Sequence, residues 1–362
     1  MNVSHFEELN YEKTVKRHPA GTLFQSLAFG EFQKTIPYRS KFWVLETKEK
    51  DAPFGRSNAV GRPSLGTASG LSLPTPRLGL GEASCLVIKI KLPLGFSWLW
   101  VPFGPLGFKE EIFEDLKRLA AEEKAIFARI EPPASWNQSW TSELKKNFKI
   151  CNAPHRFTPE HTLVLNIEGS EEEILAQMKP KGRYNIGVAV RKGVHVRMFK
   201  KFEDVPQKDF DEFYEILKTT AARDEFGIHP CSFYENFLKT LGQENMSALF
   251  LAYEPETKKV TAGLIATFYK DTAIYYYGAS SGADRNLMAP YLLQWEAILE
   301  AKKRDLKFYD FLGIAPADDS NHPWKGVTEF KKKFGGKEIK YPPAFDIVYK
   351  KTLYGLLRLP RR

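Results

Sequence analysis

The chain has 362 residues, 43% of them hydrophobic and 14% aromatic, with a formal net charge of +9. That length exceeds what one hydrophobic core usually serves and predicts two domains, while the basic balance favours an anionic partner: nucleic acid, a phosphate-bearing metabolite or an anionic membrane surface. The longest apolar runs, 247–253 and 260–269, are strand-sized and argue against a bilayer-spanning helix, and the opening MNVSHFEELNYEK lacks signal-peptide order, so a cytoplasmic protein is expected.

In chain order, residues 5–17 read as a polar helix and 23–34 as a second, anchored by Phe24, Phe29 and Phe32. A strand is expected at 41–46. Residues 52–82 are rich in Gly, Pro and Ser without periodicity and read as a flexible surface insertion. Two strands follow around Pro93-Leu94-Gly95, then a helix at 109–124 and a strand at 125–131. A second unit opens with a strand at 162–167. Ser170 and Glu173 have capping-box spacing, so a helix is predicted from Glu171; Pro180 interrupts it, a further helical stretch carries Arg183 to Lys192, and Gly193 stops it before a strand at 194–199. Helices at 205–222 and near 232–241 precede SALFLAYEPETKKVTAGLIATFYKDTAIYYYGAS, which reads as three antiparallel strands joined by tight turns. A helix at 290–304, a strand at 306–312 and a basic stretch at 326–333 close the unit.

Three scattered cysteines (Cys85, Cys151, Cys231) form no disulfide framework and read as structural thiols. The seven histidines are dispersed without a ligand spacing, so no metal is expected. Charge is concentrated between Glu173 and Glu203, where eight Lys and Arg stand with no carboxylate: Lys179, Lys181, Arg183, Arg191, Lys192, Arg197, Lys200 and Lys201. Such a run is either a solvated face or a site for an anion.

The order helix pair, β-meander, helix, strand resembles a GNAT-type acyltransferase domain, and the first half is similar in looser form. The fold class expected is therefore α/β (α+β): two tandem GNAT-like domains, each a mostly antiparallel mixed sheet flanked by helices. The motifs QMKPKGRYNIGVAVRKGV, RDEFGIHPCSFYENFL, YYYGASSGADRNLMAPYLLQWEAI, FYDFLGI and HPWKGVTEFKKKFGGKEIKYPPAFD, with FQSLAFGEFQK and LPLGFSWLWVPFGP earlier, resemble the Fem-type (FemABX) peptidoglycan bridge-forming aminoacyltransferases. The resemblance covers nearly the whole chain outside 52–82. It implies an enzyme that moves an aminoacyl group from aminoacyl-tRNA to an amine of the peptidoglycan stem peptide, carried by a UDP-MurNAc-peptide or by lipid II. It also implies that the C-terminal segment returns to the first domain, giving 1–153 with 341–362 as one unit and 154–340 as the other. The long helical arm of some members has no counterpart here.

The implied reaction is aminolysis of an ester, in which negative charge develops on the aminoacyl oxygen; a cation there stabilises the transition state more than the ground state. The family pattern in TEFKKKFGG places Phe330 and Lys331 at the reactive centre, against the plain reading of Lys331, Lys332 and Lys333 as a solvated face. Lys34 and Arg183 match positions that contact the nucleotide-sugar diphosphate, with Lys181 and Asn185 assisting; the alternative for Lys34 is a cation at a helix C-terminus. Asp224 is a candidate to hold Arg223 or the incoming amine, although a catalytic base is not evident. Tyr275, Tyr276 and Tyr277 are expected to alternate between core and cleft. Gln294 and Tyr309, with Asp310, are lesser cleft candidates for which a structural role is the favoured reading.

Two departures stand out. Where CoA-dependent relatives cradle pyrophosphate on a glycine-spaced turn, this chain reads Arg285-Asn286-Leu287-Met288-Ala289-Pro290, so no CoA is expected, nor any cofactor beyond aminoacyl-tRNA as co-substrate. Gly187 stands where relatives often carry Arg, which removes a cation from the expected anion site. The terminal YKKTLYGLLRLPRR interleaves leucines with cations and suits either peripheral contact with the inner face of an anionic membrane or a docking helix with a solvated basic end. The rivals to this reading are an N-acyltransferase of the same fold with another donor, and a non-catalytic binder of nucleic acid or anionic membrane.

Overall fold

A computed structural model describes residues 5–39, 41–47, 83–224, 227–319 and 321–359, apart from the side chains of 5–9 and of Asp224; the 52–82 insertion lies outside the described residues. The first half contributes α1 (His5–Arg17), α2 (Leu27–Lys34), β1 (Lys41–Glu46), β2 (Ser84–Lys91), β3 (Ser97–Pro102), α3 (Glu110–Glu122), β4 (Ala125–Glu131), α4 (Gln138–Asn147) and β5 (Ile150–Asn152). The second contributes β6 (His161–Asn166), α5 (Glu171–Gln177), α6 (Pro180–Arg191), β7 (His195–Phe199), α7 (Gln207–Asp224), α8 (Cys231–Gln243), β8 (Ser247–Tyr253), β9 (Val260–Tyr269) and β10 (Thr272–Ser280). It continues with α9 (Ala289–Lys303), β11 (Phe308–Gly313), α10 (Lys325–Lys331), β12 (Lys337–Lys340), β13 (Phe345–Val348) and α11 (Lys351–Leu357).

Local chemistry explains the boundaries. The Ser26 hydroxyl accepts from Phe29 N–H to cap α2, and Ser170 with Glu173 forms the full capping box of α5. Pro180 opens α6 instead of ending α5, because its missing N–H is needless in a first turn, and Gly193 (φ +73°) stops α6. Helix α4 and strand β5 had no sequence signal: α4 is mostly polar and buries Leu144 alone, and β5 is three residues long.

The strands form two mixed sheets, ordered β1-β2-β3-β4-β13-β5 and β12-β6-β11-β10-β9-β8-β7. Each is antiparallel except for one parallel pair, β3 with β4 and β10 with β11, bridged by α3 and α9 respectively. Beside β11 the second sheet has β6, while the equivalent place beside β4 is filled by β13, from the far end of the chain. A buried bidentate pair secures it: Arg129 on β4 donates to both carboxylate oxygens of Asp346 on β13, at 2.8 and 2.9 Å, and the Tyr354 hydroxyl of α11 donates to the same carboxylate.

Hydrophobic residues form one core outside the first sheet around α3, another outside the second around α9, and a third between the sheets. This third core joins Phe24, Phe29, Phe32 and Trp100 of the first half to Phe213, Phe237, Leu249 and Ile265 of the second. The two sheets are thus packed through one shared apolar seam, while the candidate site lies on the α9 side of the second sheet.

Candidate active site

Helix α10 delivers Lys331 to the interior. Thr328 and Lys331, three residues apart on one helix face, are both buried, and Lys331 is only 7% exposed. Its ammonium donates to the Gly313 carbonyl at 2.7 Å and reaches the Leu312 carbonyl at 3.4 Å. Those carbonyls are turned inward because β11 shifts register between Asp310 and Gly313, with Leu312 in the left-handed region (φ +57°) and its N–H bonded to the Asp310 carboxylate at 2.7 Å. The Tyr275 ring lies 5.4 Å from Nζ. The turn after the helix packs closely on α6, where a Cβ on Gly182 would stand 2.4 Å from the Lys333 carbonyl oxygen. Gly182→Ala should therefore cost roughly 1–3 kcal/mol in denaturant unfolding and lower turnover with it.

Burial dominates the electrostatics. It pulls the Lys331 ammonium from its usual 10.5 down to about 7, against a partial upward pull from Asp310. Burial likewise raises the Asp310 carboxyl, opposed by hydrogen bonds from Thr162 and Leu312 N–H and by the charge of Lys331. The Tyr275 phenol rises to about 12 on burial, partly countered by its bond to Gln294. Gln294 also accepts from Tyr309 at 2.8 Å. Phe330 packs edge-on to Tyr291 and Phe334. Lys331, Asp310, Tyr275, Gln294 and Tyr309 thus form one linked polar cluster in an apolar surround, of which Gln294, Tyr309 and Asp310 were the lesser candidates.

The expected alternation of the tyrosines fails at a register shift between Tyr275 and Tyr277. One extra residue in the strand puts Tyr276 and Tyr277 on the same side, both against Phe237, while Tyr275 turns toward Lys331. Tyr276 stacks on Phe24 of the first half, and Phe24 leads through Phe103 to Tyr341, whose phenol feels the Asp310 charge. Both tyrosines also sense Arg39, which sequence reading passed over. Arg39 lies over the Tyr38 and Trp100 rings, and its Nε and the Trp100 indole N–H are buried donors without a partner among the described residues. The dipeptide Tyr38-Arg39 carried no motif signal; only the fold sets it opposite Tyr276.

The other candidates lie apart. Lys34 is exposed, paired with Glu31 at 2.6 Å and set over Phe42, and no contact among the described residues links it to Arg183. The Arg183 guanidinium donates to the Leu175 and Met178 carbonyls at the end of α5; Lys181 is exposed and Asn185 buried on the same helix. Arg223 reaches the Ser280 carbonyl, and the Asp224 side chain lies outside the described residues. Among the described residues no group of three or more His, Cys, Asp or Glu could hold a metal ion, and no helix is long and apolar enough to cross a membrane.

Two mixed sheets in tandem, each with a parallel pair bridged by a helix, define the doubled GNAT-like acyltransferase scaffold. The FemAB family model matches residues 146–255 and 251–362, and the chain belongs to that family. It is 22% identical over 434 aligned positions to a lipid II:glycine glycyltransferase of Staphylococcus haemolyticus, covering 99% of this chain and 94% of that one. The enzyme of the same name from Staphylococcus aureus is 21% identical, with 99% and 95% covered. Among solved structures, the crystal structure of FemX superposes with a TM-score of 0.74 at 19% identity, over 99% of this chain and all of the other.

Proposed function

We propose that this chain is an aminoacyltransferase that extends the stem peptide of a peptidoglycan precursor, taking its aminoacyl group from aminoacyl-tRNA. Family membership and the full-length likeness to lipid II:glycine glycyltransferases support the reaction class, and the buried Lys331 carries the mechanism. In the transfer, the acceptor nitrogen forms a bond to the aminoacyl carbon, the ester bond to the tRNA ribose breaks, and one proton passes from nitrogen to the departing ribose oxygen. As an ammonium, Lys331 stabilises the oxyanion; with a pKa drawn to about 7 it exchanges a proton readily, and it can protonate the ribose oxygen as the ester breaks. The Gly313 carbonyl and the Tyr275 ring hold it in place, with Asp310 nearby and Gln294 and Tyr309 linked behind Tyr275, and Phe330 remains a candidate through its motif position beside it. Lys34, Lys181, Arg183, Asn185 and Arg223 remain acceptor-binding candidates through their motif positions, with Asp224 a candidate for orienting the amine. Arg39, beside Tyr276 and Tyr277, joins them as a cation in the seam between the units 1–153 with 341–362 and 154–340.

The donor is the discriminating point. Residues 285–287 form a short turn, Met288 adopts φ +56°, and Pro290 occupies the first turn of α9, so the bare amide cradle that CoA pyrophosphate uses is altered. Incubation with a labelled pool of charged tRNA and nucleotide- or lipid-linked stem peptide should give an extended peptide, and calorimetry with CoA should give no heat of binding. No transfer from any charged tRNA, or saturable CoA binding, would overturn the assignment.

A further inference from the structure

One surface of the molecule stays apolar where nothing among the described residues covers it. At the tip of the β2–β3 hairpin, Leu94 is 93% exposed and adopts φ +60°, a conformation that a leucine side chain disfavours and that no packing here offsets. Leu356 and Leu357 on α11 and Leu359 just beyond it are 59%, 47% and 62% exposed. These leucines are brought to one region by the residue before α11: the Lys350 ammonium lies 4.9 Å from the ring centroid of Phe96, two residues after Leu94.

On these two stretches the charge has one sign. Lys91, Lys351 and Arg358 are exposed, and the sequence from 84 to 109 and from 347 to 362 contains no Asp or Glu; the nearest carboxylates are Glu122 and Glu123 at the end of α3, of which Glu123 pairs with Lys89 and Lys41. We infer that this face, the Leu94 hairpin tip with α11 and its flanking cations, docks the enzyme on an anionic bilayer. Leucines that protrude among uncompensated cations match a surface whose headgroups are negative and whose interior is apolar.

The same face leads toward the seam. Tyr354 of α11 packs on Phe127, Phe127 stacks on Trp98, and Trp98 stacks on Phe157, which is 46% exposed. An acceptor held in the bilayer by a lipid tail would thus meet the exposed Phe157 ring, backed by these three buried rings, near its anchorage. This last step rests on the proposed transfer reaction; the docking itself does not.

Full-length protein should co-sediment with vesicles of phosphatidylglycerol and phosphatidylcholine but not with phosphatidylcholine alone. Lys351→Gln and Arg358→Gln should each weaken partition roughly fivefold. The Leu94→Glu/Leu356→Glu/Leu357→Glu variant should abolish it, and Leu94→Asn, which the left-handed backbone tolerates, should weaken it while leaving the unfolding midpoint unchanged. Failure to bind anionic vesicles, or binding unaffected by these changes, overturns the inference. So does a concentration-dependent dimer that the triple variant dissolves, since the leucines would then cover a second copy. Where transfer occurs, the triple variant should keep parental rates on a soluble acceptor and lose them on one embedded in vesicles. Absence of transfer by the parent would count against the proposed function alone, because vesicle partition is read without it.

Discussion

Lys331→Met should lower kcat by about 10²- to 10³-fold while the acceptor KM moves little, the signature of a group used in the transition state more than in the ground state. The substitution keeps length and apolar bulk, so the stem still fills the space beside Tyr275. The parental pH–rate profile should carry a limb with an apparent pKa near 7, falling as pH rises and the ammonium is lost; that limb should vanish in the variant. Collapse of acceptor affinity with turnover intact would assign Lys331 to binding instead. Stability offers an independent reading. The amine titrates near 7 in the folded protein and near 10.5 when unfolded, so between those values the unfolded chain holds a proton the native state lacks. Parental stability should therefore gain on the variant by about 3–5 kcal/mol as pH climbs through that window, and the difference should be flat below pH 6.

Arg129→Met should destabilise the protein by about 3–5 kcal/mol and lower its unfolding midpoint by on the order of 10 °C. It would leave the fully buried Asp346 carboxylate with the Tyr354 hydroxyl as its one side-chain partner among the described residues. Arg129→Met/Asp346→Leu should recover much of the loss, because apolar residues of similar volume remove the unpaired charge. If the double variant is no better than the single one, shape at the β4–β13 junction decides stability and the ion pair does not. Thermal melts and limited proteolysis near residue 340 would read both.

Much of this architecture was legible because its signals are local. The Ser170–Glu173 capping box, the turn before Val260 and the Gly193 stop each act within a few residues, and the elements they bound appear as expected. What was hidden depends on distant partners. Strand β13 is only the four residues FDIV, too short to read as a strand, and its place between β4 and β5 follows from Arg129, 217 positions away from Asp346. The extra residue at Tyr276 leaves no trace in the alternating pattern, so two tyrosines expected on opposite faces share one. For the site, the motif singled out Lys331, but the aromatic and polar cluster around it is assembled from β10, α9 and β11. The structural reading favoured for Gln294 was drawn from a helix face that is otherwise apolar in sequence, and nothing local ties it to Tyr309 and Asp310 on β11.

Strand β13 also constrains how the molecule comes into being. Until residues 345–348 leave the ribosome, the first sheet lacks the strand between β4 and β5, and both face water with unpaired backbone groups. The second sheet, built wholly from residues 161–340, can close earlier in synthesis. The half that starts first is therefore finished last, and a chain truncated before residue 345 would expose two sticky strand edges during the interval when chaperones and proteases compete for it.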